Sequence, residues 1–90
     1  MIYIRKHAID RYIQRIDSKQ VQTKKVEELL IEAVLDPDKI IRHSRKKTII
    51  AFKKYNFILI AIQKGKDIEV ITTENDYEKK INWWKRQERD

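Results

Sequence analysis

The amino-acid sequence predicts an α+β domain made of an N-terminal strand, a helical hairpin, a four-stranded antiparallel meander and a C-terminal helix packed on the sheet. Three observations predict it. Apolar residues recur at the helical period in two early stretches and one late one. Between them, Lys39 to Lys66 reads as successive β-prone runs divided by short polar breaks. The chain has 90 residues, 41% of them apolar, with one Gly and one Pro, which suits one ordered unit with a modest core. A single domain over 1–90 is therefore expected.

Taken in order, Ile2-Tyr3-Ile4 is a short β-prone run able to join a later sheet. From His7 to Ile16, the residues Ala8, Ile9, Tyr12, Ile13 and Ile16 share one helical face, while His7, Arg11 and Arg15 follow at i, i+4 and i+8 on the other. Asp17-Ser18 ends this helix and can cap the next, so the second helix starts either there or at Thr23. Its firm part is Val26 to Leu35, where Val26, Leu29, Leu30, Ala33 and Val34 share a face. Asp36-Pro37-Asp38 stops it, because proline disfavours the α conformation in the residue before it.

Lys39 to His43 is the next predicted strand, followed by a turn at Ser44-Arg45-Lys46 and a strand from Lys47 to Phe52. A second turn is expected from Lys53 to Asn56. Phe57 to Ile62 is apolar on both alternations, as a central strand covered on both sides would be. The only glycine, Gly65, falls where a hairpin needs positive φ, and Ile68 to Thr73 closes the meander. Beyond it, Tyr77, Ile81 and Trp84 form an i, i+4, i+7 stripe suited to a helix lying on the sheet; Trp83 sits at the flank of that stripe or outside it.

Charge is sorted unevenly along this order. The net charge is +7, and Lys39 to Lys66 carries nine Lys or Arg and no Asp or Glu, so a polyanionic partner is the first expectation. The lack of Cys excludes disulfides, thiolate catalysis and Cys-type zinc sites. Two histidines far apart in sequence make a transition-metal site unfavourable, a glycine-rich phosphate loop is missing, and no cofactor is expected. No apolar run is long enough to span a bilayer and the charged N-terminus lacks a signal-peptide core, so a cytoplasmic location without membrane contact is expected.

Three groups of residues could carry chemistry. His7, Arg11 and Arg15 line one helix face, where guanidinium groups can hold a phosphodiester and an imidazole can move a proton; the same face would serve as a solvated surface. Arg42, His43, Arg45, Lys46 and Lys47 crowd one strand-turn-strand corner, where His43 could take a 2′-hydroxyl proton and the cations stabilise charge on phosphate oxygens; a charged hairpin tip that aids solubility would look the same. Tyr55 beside Lys53 and Lys54 pairs an aromatic ring with cations, as base stacking beside a phosphate requires, or as a ring packed on a sheet edge would.

The opening IYIRKHAIDRYIQRI, with its His-Ala-x-x-Arg-x-x-x-Arg helix, followed by an acidic helix ending in DPDKII and a strand meander, resembles small bacterial and phage domains related to RelE/ParE/BrnT-type toxins. The likeness covers roughly residues 2 to 73. It implies a helical hairpin on an antiparallel sheet, and it points to His7, Arg11 and Arg15 as signature positions and to the basic sheet surface as the RNA-facing side. The C-terminal segment with Trp83-Trp84 departs from that pattern.

The expectation that follows is a toxin-type RNA-binding protein, with metal-independent endoribonuclease activity as one form of it. His7, His43, Arg42 and Arg45 would be the catalytic candidates. Arg11, Arg15, Lys46, Lys47, Lys53, Lys54 and Tyr55 would bind nucleic acid. The alternatives are a non-catalytic nucleic-acid-binding module and a phage or mobile-element protein that blocks a host protein; an acidic antitoxin is a further candidate partner.

Overall fold

The computed structural model describes residues 1–16, 23–43 and 45–74. Along them run β1 (Ile2–Ile4), α1 (Lys6–Arg15), α2 (Thr23–Leu35), β2 (Lys39–Arg42), β3 (Ile49–Lys54), β4 (Phe57–Lys64) and β5 (Asp67–Glu74). The predicted helix through Tyr77, Ile81 and Trp84, the Asp17-Ser18 cap, Ser44 and Trp83 lie outside the described residues.

The strands form one sheet in the order β1-β5-β4-β3-β2. β2 to β5 make the expected antiparallel meander. β1 adds a fifth strand parallel to β5, so the sheet is mixed and not purely antiparallel. The parallel pairing is allowed because the helical hairpin and the rest of the meander separate β1 from β5, far more chain than a tight turn. The Ile68 N–H bonds to the Met1 carbonyl and the Arg5 N–H to that of Val70, which carries the chain from β1 straight into α1.

Both helices pack on one face of the sheet. Ala8, Ile9 and Tyr12 of α1 and Val26, Leu30, Ala33 and Val34 of α2 are buried with Ile50, Phe52, Phe57, Leu59, Ala61 and Val70. Tyr12 meets Phe57 edge to face with ring centroids 5.3 Å apart, a geometry favoured by the ring quadrupole. The buried Thr73 hydroxyl donates to the Ala8 carbonyl at 2.9 Å and ties the start of α1 to β5. On the opposite face Ile41, Ala51 and Ile58 are buried beside Ile49 and Ile60. β4 thus buries residues of both alternations, as its unbroken apolar run requires.

The strand limits differ from the predicted ones near the turns. β3 starts at Ile49, not Lys47, and runs on to Lys54, so Lys53 and Lys54 are ladder residues and the turn is only Tyr55-Asn56. Cation runs hid this, since Lys has no strong strand signal of its own. Tyr55 has φ +54°, unusual for a bulky residue, and the Asp38 carboxylate accepts its N–H at 2.9 Å. Gly65, at φ +62°, opens the other two-residue turn, as expected. The β4–β5 register shifts between Ile60 and Ala61, leaving Ile71 as the extra residue of a bulge.

Candidate nucleic-acid interface

Alternate turns of a meander fall at the same end of the sheet. The β2–β3 and β4–β5 connections therefore share one end, and the Tyr55-Asn56 turn lies at the other. The first end carries the exposed Arg45, Lys46, Lys47 and Lys66. Lys53, Lys54 and Tyr55 stand at the second, about 17 Å away along β3 at the usual rise per residue.

The β2–β3 corner is closed by neutral acceptors. His43 is buried, and its Nδ1 accepts the N–H groups of Arg45 at 3.2 Å and Lys46 at 3.0 Å. Two donors directed at Nδ1 place the imidazole proton on Nε2. The Arg42 guanidinium donates to the Lys47 carbonyl at 2.7 Å and to Gln63 Oε1 at 2.8 Å, while the Gln63 N–H bonds to the Thr48 carbonyl at 2.7 Å. Arg42 and Gln63 thus brace the corner against β4, next to the Gly65-Lys66 turn. Among the described residues Arg45, Lys46, Lys47 and Lys66 make no ion pair, so one end of the sheet presents four unneutralised cations on a braced backbone.

The remaining predicted site residues sit elsewhere. Lys54 is buried: its Nζ donates to the Asp36 carbonyl at the end of α2 at 2.7 Å and lies 3.6 Å from the Asp36 carboxylate. A cation there complements the C-terminal end of the helix dipole, so Lys54 fastens the α2–β2 corner. The exposed Tyr55 ring lies 5.2 Å from that ammonium and 6.5 Å from the Phe57 ring. Lys53 is half-buried, opposite Lys39 on β2 and Ile58 on β4.

On α1, Arg11 Nε donates to His7 Nε2 at 3.3 Å, while Arg15 is ion-paired with Glu74. The start of α1 is tied to Thr73, opposite Leu59, whereas the basic corner is tied to Gln63. That offset is about 13 Å along β4, with about 10 Å more across two strand spacings. His7 and His43 are therefore not brought together, and neither are His7, Arg11 and Arg15 and the basic corner.

The β1–β5 side of the sheet has the opposite electrostatics. The Met1 ammonium pairs with Asp67 at 2.9 Å, Arg5 with Glu69 at 2.8 Å and Lys64 with the same Glu69 at 3.1 Å. The Lys64 contact lacks hydrogen-bond alignment with Glu69 Oε1 and acts as an ion pair. The Arg5 hydrogen bond first, and then the Lys64 ammonium, hold the Glu69 carboxyl below its ordinary range. Tyr3, Lys64, Asp67 and Glu69 line a shallow depression of about 280 Å³ here, but its charges already satisfy one another.

Lys66 is the cation that residue spacing alone did not single out. It lies twenty residues from Lys46 in sequence, and only the sorting of meander turns between the two sheet ends places both on one side. Among the described residues, no group of three or more His, Asp or Glu is placed to hold a metal ion, and no helix is long and apolar enough to cross a membrane. No protein-family model, curated protein or solved structure matches the chain.

Proposed function

We propose that this chain is a nucleic-acid-binding domain of the RelE-like toxin type, which grips an RNA backbone with Arg45, Lys46, Lys47 and Lys66. One observation carries the reading: four exposed cations that make no ion pair among the described residues, at one sheet end, on turns held by His43, Arg42 and Gln63. Cations already paired with carboxylates gain little from phosphate. Unpaired ones release counterions from the nucleic acid and gain that free energy in full.

Binding is the form of this reading that the geometry favours over catalysis. His43 uses Nδ1 to close its turn, and His7 stands on α1 beside Arg11, away from the four cations. A metal-independent ribonuclease built on this chain would rest on His7 and its neighbour Arg11.

The test is binding of a fluorescent single-stranded RNA across a salt series. The wild-type protein should show a log-log slope of roughly −3 for four phosphates engaged, and Arg45→Ala/Lys46→Ala/Lys47→Ala should flatten it by roughly 2. A flat wild-type dependence, or an unchanged slope in the triple variant, rejects the reading. Cleavage of that RNA in chelator, abolished by His7→Ala, would establish the catalytic form instead.

A further inference from the structure

We propose that the outer edge of β2, which runs up to the cationic end of the sheet, is a strand-addition site for an extended acidic segment of a partner protein. Among the described residues β2 is the terminal strand on its side of the sheet, paired with β3 alone. The His43 N–H bonds to the Ile49 carbonyl, and hydrogen bonding alternates along an antiparallel ladder. In the register Arg42 to Ile50 and Ile41 to Ala51, the backbone groups of Ile41 therefore face β3. Those of Ile40 and Arg42 face outward. These outward N–H and C=O groups form a short template for another strand.

The side chains along this edge define the occupant. Ile40 is 54% exposed, and Leu35 at the end of α2 is 71% exposed, so the edge keeps an apolar anchor in water at a cost. Lys39 flanks it at one end, and Arg45, Lys46 and Lys47 lie beyond the other, with no Asp or Glu between Asp38 and Asp67. A second copy of this chain is a poor occupant, because it brings one net charge of +7 against another and has no Asp or Glu of its own between Asp38 and Asp67 to set against the cations of this edge. A foreign strand with an apolar residue opposite Ile40 and carboxylates on either side satisfies the backbone, the anchor and the charges together.

The probe is a terminally blocked, fluorescent peptide alternating Glu and Val, beside a control of equal charge interrupted by proline. The alternating peptide should bind and the control should bind at least about tenfold more weakly. Ile40→Pro removes an N–H that faces outward, so it spares the ladder to β3 and the fold; it should weaken the peptide by about tenfold. RNA affinity should stay unchanged in Ile40→Pro, which separates this site from the cationic end. Bound peptide should also slow amide hydrogen exchange at Ile40 and Arg42. Equal binding of the two peptides, full binding to Ile40→Pro, or slow exchange at Ile40 and Arg42 in the free protein would each overturn the proposal. The last outcome would mean the edge is already covered.

Discussion

The two sides of this sheet handle charge in contrasting ways. Along β1 and β5, each acid has a cation: Asp67 has the Met1 ammonium, Glu69 has Arg5 and Lys64, and Glu74 has Arg15. At the β2–β3 corner the His43 imidazole, a carboxamide and backbone carbonyls hold the turns, and Arg45, Lys46, Lys47 and Lys66 make no ion pair among the described residues. Exposed ion pairs contribute little to stability, roughly 0 to 1 kcal/mol each, so the pairing along β1–β5 does more to quiet the surface than to hold it together. The corner is held without spending its charges. A surface meant only for solubility has no need of that separation, whereas a phosphate-binding surface does.

Placing acids in the corner should break this contrast most severely. Lys46→Glu/Thr48→Glu sets two carboxylates beside Arg45 and Lys47, and RNA affinity at low salt should fall by about a hundredfold. Arg5→Gln, on the paired side, should leave RNA affinity unchanged in the same anisotropy assay. If both variants weaken RNA binding equally, only net charge matters and the contrast has no functional content.

Removing the neutral brace should have a smaller effect. His43→Ala leaves the Arg45 and Lys46 N–H groups without their acceptor, and the expected loss is about 1 to 2 kcal/mol in chemical denaturation. Amide exchange at Arg45 and Lys46 should accelerate more than at Ile50 or Leu59. A variant that keeps wild-type stability and exchange would show that the imidazole does not hold the turn.

The smallest effect belongs to the paired side. Glu69 has a folded-state pKa below its unfolded one, so its ionised form favours the fold. That stability is present in full above the unfolded glutamate pKa, and it is lost as pH falls from there through the lower folded value. Arg5→Gln should move the Glu69 carboxyl back toward its ordinary range and shrink this acid-side loss, as carboxylate chemical shifts and denaturation midpoints across the acidic range would record. An unmoved Glu69 titration would mean that Lys64 alone sets it.

Much of the fold is legible in the residues themselves. The stripes Ala8, Ile9, Tyr12 and Val26, Leu30, Ala33 mark helix faces that are buried as expected, and FILIAI marks a strand covered on both sides. Gly65 marks its turn because few other residues accept positive φ. Tyr55 gave no such sign, since its positive φ depends on Asp38, seventeen residues away. The site was less legible than the fold. Lys54 reads as a surface cation until the end of α2 is found over it, and Arg15 reads as a phosphate ligand until Glu74 lies beside it.

By itself, the sequence determined the α+β class, the helix faces, the antiparallel run of β2 to β5 and the strongly basic stretch from Lys39 to Lys66. These follow from local periodicity and composition, which each segment carries wherever it sits. Only the tertiary structure decided that β1 lies parallel to β5, that His7 and His43 stand apart, and which cations make no ion pair among the described residues. Each of those depends on residues distant in sequence meeting across the sheet, and a lysine's pattern is the same whether its ammonium ends in water, on a carbonyl or beside a carboxylate.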